Sequence, residues 1–373
     1  MPPARLNSLD LLDRLIAFAS VSSAPNQDIV GWIVDFLDNH GFTCRRLPDS
    51  TGRKEGILAR IGPDNPGGVM LSAHLDVVPV EGQSWSRDPF RLTREGGRLY
   101  GRGTTDMKGF VAATLNVAQQ AAAADLAQPL YLILSYDEEL GCLGLPQMLP
   151  HLPATIRPRL CIVGEPTQMQ IATGHKGKCA FRATFRGQAG HSAMAPNFTN
   201  ALHLAADFIG FLRAEQEHLA RTGARDGAYD IPYSTLHAGR MAGGVALNIV
   251  PDHAFVDFEL RHLASDPPGP ILKRLRAALP EGTSLSQVNA YPGLDLPVGA
   301  PEVTDLARFL ENPTLIKVAY GTEAGFFAAH GFPTLICGPG SMAQGHQPDE
   351  YLEESQLHGC DRMLARLIEE LSR

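Results

Sequence analysis

Four short apolar runs, Val69 to Ala73, Leu130 to Leu134, Leu160 to Val163 and Thr334 to Cys337, constrain the fold more than any other feature of the sequence. They are continuous rather than alternating, the pattern of strands covered on both faces in a sheet flanked by helices. Each run ends on a polar cluster: His74-Leu75-Asp76, Asp137-Glu138-Glu139, Gly164-Glu165, and Gly338-Pro339-Gly340-Ser341. In open α/β sheets ligands bind outside the carboxyl ends of the strands, so the four clusters are expected to share one site. Helical segments are predicted at about 8 to 20, with Ser8 as N-cap, and at about 27 to 40, 107 to 124 and 353 to 371.

Between roughly 177 and 290 the texture changes. Cys179, Phe181, Ala183 and Phe185 alternate with Lys178, Arg182, Thr184 and Arg186, and Val256, Phe258 and Leu260 alternate with Asp257, Glu259 and Arg261. Period-two alternation describes half-exposed antiparallel strands. With helices at about 197 to 220 and 267 to 279, the segment reads as a β-α-β-β-α-β unit inserted into the first domain. A chain of 373 residues is long enough for two such domains.

Composition narrows the partners. Thirty-two basic and 40 acidic residues leave a net charge of −8, with no Lys/Arg block, which argues against nucleic acid as a partner and accommodates a cationic small substrate. No stretch approaches the roughly 18 apolar residues of a membrane span. The N-terminus carries no apolar signal core, and the six cysteines are scattered without a CxxC pair, so a reducing cytoplasm is the expected compartment.

The chemistry is concentrated in His74, Asp106, Glu138, Glu139, Glu165 and His346. Imidazole and carboxylate donors without thiolate suit zinc, with manganese or cobalt as substitutes. His74 and Asp76, two apart at a strand end, are expected on one face, with the Asp76 carboxylate on the far nitrogen of His74. Taken alone, a His-x-Asp is usually a solvated loop pair. Asp106, in Gly101-Arg102-Gly103-Thr104-Thr105-Asp106-Met107-Lys108-Gly109, could bridge two cations or merely cap the following helix. A pair of metals a few ångströms apart needs about five or six protein donors. The inventory supplies them: His74 and Glu165 on one metal, Glu139 and His346 on the other, and Asp106 between. Glu138 is left over as a general base.

Five motifs in order, Ser72-Ala73-His74-Leu75-Asp76, the Gly101 to Gly109 segment, Asp137-Glu138-Glu139, Gly164-Glu165-Pro166-Thr167 and Gly345-His346-Gln347-Pro348-Asp349-Glu350, resemble the aminoacylase, carboxypeptidase, succinyl-diaminopimelate desuccinylase and acetylornithine deacetylase family of co-catalytic zinc amidohydrolases. Tyr320-Gly321-Thr322-Glu323-Ala324-Gly325 and the Cys337 to His346 segment are most similar to the acetylornithine deacetylase branch. The resemblance implies an α/β/α catalytic domain with a central mixed sheet over 1–176 and 291–373. Over 177–290 it implies an inserted α+β, ferredoxin-like lid and dimerisation domain. It assigns His74, Asp106, Glu139, Glu165 and His346 to two zinc ions and Glu138 to the general base. His191 is similar to an oxyanion-stabilising histidine that some members supply across a homodimer, and Asn248 and Arg261 to residues that hold the substrate's α-carboxylate. On spacing alone, Arg261 would pair with Asp257 or Glu259 on its own strand face. The implied substrate is an N-acylated amino acid, with acetylornithine, acetylcitrulline or a dipeptide as options. A catalytically silent metal-binding dimer is the reading from another class.

Overall fold

The computed structural model describes residues 5–22 and 24–373. The chain forms two compact units. One takes the chain up to Gly174 with Leu296–Lys317 and Thr322–Arg373, and the other takes His175–Asp295 with Val318–Gly321.

In the first unit the four apolar runs become the centre of a mixed sheet. Neighbouring strands follow the order Thr43–Pro48, Glu55–Ile61, Leu130–Ser135, Val69–His74, Leu160–Val163, Thr334–Ile336 and Ile171–His175. The four central strands are mutually parallel, and the flanking pairs are antiparallel. Every residue of the central strands is buried, which is why their sequences do not alternate. Leu71, Ala73, Leu132, Leu134 and Ile162 join one core cluster with the helices Ser8–Ile16, Gln27–Asp38, Gly109–Ala122 and Glu354–Leu371, while Met70, Tyr131, Ile133 and Cys161 are buried on the opposite face. Each of the Leu, Ile and Met side chains among these contributes about 1.5–3 kcal/mol when taken out of water.

After Val69–His74 the chain lays the next central strand on one side and Leu160–Val163 on the other. Such a reversal opens a crevice at the carboxyl ends of the strands, beside His74. The first helix is capped by Asn7 rather than Ser8: the Asn7 side chain accepts from the Asp10 amide, and Asp10 answers on the Asn7 amide. Ser8, already inside the helix, donates its hydroxyl to Asp361 instead. The third helix starts at Gly109, two residues later than the sequence suggests, because 104–108 form a separate tight turn.

The second unit has strands Gly177–Arg186, Thr235–Gly243, His253–His262 and Ser284–Tyr291, with helices Ala201–Thr222 and Pro268–Ala277 in the expected succession. The neighbours run Thr235–Gly243, His253–His262, Gly177–Arg186, Ser284–Tyr291, all antiparallel, which is the ferredoxin-like order. Phe181 lies directly opposite Phe258, with ring centroids 5.6 Å apart, and both pack on Phe208 and Leu212 of the long helix. Arg182 and Asp257, opposite one another on the other face, form a two-point ion pair at 2.6 and 2.7 Å. Among the described residues no helix is long and apolar enough to cross a membrane, and all six cysteines are free.

Candidate metal centre

His74 is the last residue of its strand and 1% exposed. Its Nε2 lies 3.0 Å from Asp106 Oδ1 and 4.0 Å from Glu165 Oε1, while its Nδ1 lies 2.9 Å from the main-chain carbonyl of Asp76. Because the carbonyl can only accept, Nδ1 carries a proton. Burial opposes charge on the ring, but the Asp106 hydrogen bond and the neighbouring carboxylates outweigh it and hold the imidazole well above its usual range, so Nε2 donates to Asp106. The role expected of the Asp76 carboxylate is thus taken by the Asp76 backbone. The strand ends at His74, so alternation does not extend to residue 76, and the carboxylate stands 3.6 Å from Nδ1. It accepts instead from Ser22 Oγ at 2.7 Å and from the amides of Glu138 and Glu139 at 3.1 and 3.3 Å.

Those two amides belong to a tightly curled turn. Asp137 and Cys142 both have left-handed backbone, at φ 54° and 57°, and the amides of Gly141 and Cys142 return to the Glu138 carbonyl at 2.8 and 2.7 Å. The curl sends the neighbouring glutamates to different places. Donor atoms of His74, Glu138 and Glu165 lie within 4.8 Å of one another, and so do those of His74, Asp106 and Glu139. His346 joins the second group, its Nε2 3.0 Å from Glu139 Oε2 and 3.2 Å from Asp106 Oδ2. Asp106 therefore offers one oxygen to each histidine, and it does not cap the helix, whose N-cap is Lys108. Glu138 stands with His74 and Glu165, and its Oε1 also accepts from Cys142 Sγ at 3.1 Å.

Burial sets the electrostatics. It pushes Glu138 up to about 8, against the pull of His74 and with reinforcement from Glu139. Burial, followed by the Asp106 charge, pushes Glu139 up to about 7, and the same two causes raise Glu165 well above the usual carboxylate range. Asp106 goes the other way: burial works against it, but hydrogen bonds from His346 and His74 outweigh burial. His346, hydrogen-bonded to Asp106 and Glu139, rises to about 10. Four close carboxylates and two imidazoles, without thiolate, are hard and borderline donors whose mutual repulsion a cation relieves, so the residues present fit two divalent metal ions.

A consequence for stability follows from the signs. An acid whose folded pKa is raised binds more protons folded than unfolded between its two pKa values, so folding weakens as pH rises through that window. For Glu138 and Glu139 the window runs from 4.5 to about 8 and about 7, and the raised His346 extends it to about 10. Metal-stripped protein is expected to lose melting temperature from pH 5 to 9, and the stabilisation gained on adding zinc is expected to grow over the same range. Scanning fluorimetry of stripped and loaded protein checks this; a metal-induced gain that shrinks with rising pH contradicts it.

Several contributors lay outside the sequence reading. Glu350 and Arg102 are each 1% exposed and paired at 2.7 Å, and the Glu350 carboxylate also accepts the amides of Gly103, Thr105 and Asp106. Gly103 has φ 84°, and a Cβ there would sit 2.7 Å from Val77 Cγ1, so this turn requires glycine. Lys108, fully buried, donates to the Leu15 and Phe18 carbonyls at the end of the first helix. Glu323, also buried, accepts from Ser135 Oγ at 2.8 Å. The available signal was a charged residue inside each motif, which marks position but not partner.

His191, Asn248 and Arg261 all lie in the second unit. His191 and Ile249 form an antiparallel bridge, and the Ser192 amide donates to the Asn248 carbonyl at 3.0 Å, so exposed His191 and Asn248 are brought together. Arg261 pairs with Glu259 at 2.9 Å, as strand-face spacing suggests, and also donates to Tyr291 Oη at 2.9 Å.

A family model described as peptidase family M20/M25/M40 matches residues 70–370. The chain belongs to this family. Solved structures share the M20 chain's fold from end to end. A metallo-carboxypeptidase of the M20 family, Sso-CP2 from Sulfolobus solfataricus, is 18% identical with a TM-score of 0.81, over 98% of this chain and 99% of that one. Aminopeptidase PepT from Bacillus cereus is 19% identical, TM-score 0.77, over 98% of both chains. The YxeP protein of Bacillus subtilis, described as a dinuclear metal binding peptidase, is 14% identical, TM-score 0.67, over 97% of this chain and 96% of that one. At such identities the likeness is one of fold.

Proposed function

We propose that this M20 chain is a cytoplasmic, dinuclear zinc amidohydrolase that removes the acetyl group from N2-acetyl-L-ornithine, giving ornithine and acetate for arginine biosynthesis. The observation that carries amide hydrolysis is Glu138, a half-buried carboxylate with an oxygen within 4.8 Å of the donor atoms of His74 and Glu165. A carboxylate so placed can accept a proton from water and give it up again. The similarity of the Tyr320 to Gly325 segment to acetylornithine deacetylases supports the substrate. The free cysteines support a reducing compartment, and a disulfide in protein isolated from its native host would count against it.

His74 and Glu165 would hold one zinc ion and Glu139 and His346 the other, with Asp106 contributing to both and Glu138 left unligated as the base. Bound there, the ions would supply Lewis acidity to the amide carbonyl and acidify the attacking water. Glu138 takes one proton from that water as its oxygen adds to the carbonyl carbon. The same carboxyl then delivers the proton to the departing amine as the C–N bond breaks. Asp76 holds the turn that aims Glu138 through the amides of Glu138 and Glu139. His191 is assigned to the oxyanion, and Asn248 and Arg261 to the substrate carboxylate, within a homodimer formed through the second unit.

Amine release from a panel of N-acyl amino acids and dipeptides, with zinc- and cobalt-loaded protein, tests the reading. Acetylornithine is expected to be turned over fastest. Equal rates on acetylmethionine, or faster rates on acetylcitrulline or a dipeptide, would replace the substrate and leave the chemistry in place. The dipeptide arm matters because solved relatives of this fold include a carnosine dipeptidase of human origin.

A further inference from the structure

We infer that Glu350, locked by Arg102, is a positioning residue that binds the Asp106 loop to the His346 segment and so sets the affinity of the metal ion these two residues share. The inference rests on the dinuclear reading above. Both oxygens of the Glu350 carboxylate are saturated. Oε2 accepts from Arg102 Nη1 at 2.7 Å and the Gly103 amide at 3.0 Å, and Oε1 accepts from the amides of Thr105 and Asp106 at 3.0 and 3.1 Å. Successive amides converging on one anion form an anion-binding nest, here filled by a side chain from 244 residues away.

The circuit continues to the other ligand. Arg102 Nη2 donates to Gln83 Oε1, and Gln83 Nε2 donates to the His346 carbonyl at 2.8 Å. The Gly101 amide donates to the Glu350 carbonyl at 3.0 Å, pinning the two segments a second time. Asp106 Oδ2 and His346 Nε2, 3.2 Å apart, close the ring on the metal side. Glu350 touches only the backbone of Asp106 and is 1% exposed, so it acts through Asp106 rather than on substrate.

Charge and acceptor count both matter here. Glutamine has one acceptor oxygen and turns an NH₂ donor toward donors that now face a carboxylate, and it leaves the Arg102 guanidinium buried without its counter-charge. The loop should loosen, and Asp106 should lose its fixed bearing. Groups that orient metal ligands typically change metal affinity by about 10–100-fold when altered.

The test is zinc affinity of the metal-stripped full chain, measured against a competing chelator without substrate. Wild type is compared with Glu350→Gln, Asp106→Asn and the double variant, and melting of each stripped form is recorded. Glu350→Gln is expected to weaken the binding of one zinc ion roughly 10–100-fold, and in the Asp106→Asn background it is expected to add less than about twofold. Unchanged zinc affinity in Glu350→Gln, including the case where only its stripped melting temperature falls, would overturn the inference. So would an additive loss in the double variant. If Glu350→Gln does not fold, Arg102→Lys takes its place in the same cycle, because it keeps the charge and loses the guanidinium fork. A protein that shows this zinc pattern but hydrolyses no member of the substrate panel would refute the proposed activity and leave the positioning role intact.

Discussion

Glu138→Gln is expected to keep both metal ions and to lower turnover by at least about a hundredfold, roughly 3 kcal/mol of transition-state stabilisation. The amide keeps the shape and can still accept from Cys142 Sγ, but it cannot take a proton from water. The variant also separates two roles, because Glu138 stands within 4.8 Å of the donor atoms of His74 and Glu165 and could serve as ligand or as base. Turnover and metal content are measured on the same sample. Loss of one ion would make Glu138 a ligand first, and near-normal turnover would move the base elsewhere.

The second large effect concerns the exposed pair His191 and Asn248 of the second unit. If a two-fold dimer lends His191 to the partner's metal site, His191→Ala and Glu138→Ala are each nearly inactive alone. A mixed dimer then has one site with both defects and one with neither. Equal co-expression with random pairing makes about half the dimers mixed, so roughly a quarter of wild-type sites should return. The measurement is activity of the co-expressed variants, with mixed dimers verified by two affinity tags. Absence of recovery in verified mixed dimers would place His191 in the site of its own chain or outside catalysis.

Much of the fold was legible because burial on two faces writes itself into a short segment. Leu130 to Leu134 has no polar residue except the Tyr131 hydroxyl, and the strand it forms is buried throughout. Alternation was equally readable in Cys179 to Phe185, where one face meets helices and the other does not. Boundaries drifted where capping decided them, as at Asn7, whose side chain takes the cap that Ser8 was expected to hold.

Residue types and their places at strand ends were likewise local information: His74 ends a buried strand, and Glu165 and the Asp137 to Glu139 turn each begin two residues after one. What the sequence by itself determined was therefore the set of strands, their covered faces and the donors waiting at their carboxyl ends, since each depends on a few adjacent residues. The tertiary structure alone decided who partners whom. Asp76 gives its carbonyl to His74 and its carboxylate to Ser22 and two amides; Glu138 and Glu139 part company at a left-handed turn; and Glu350 reaches back 248 residues to Arg102. The physical reason is that a buried charge must be satisfied by some donor or counter-charge, and which one it meets depends on how distant segments pack, about which neighbouring residues carry no information.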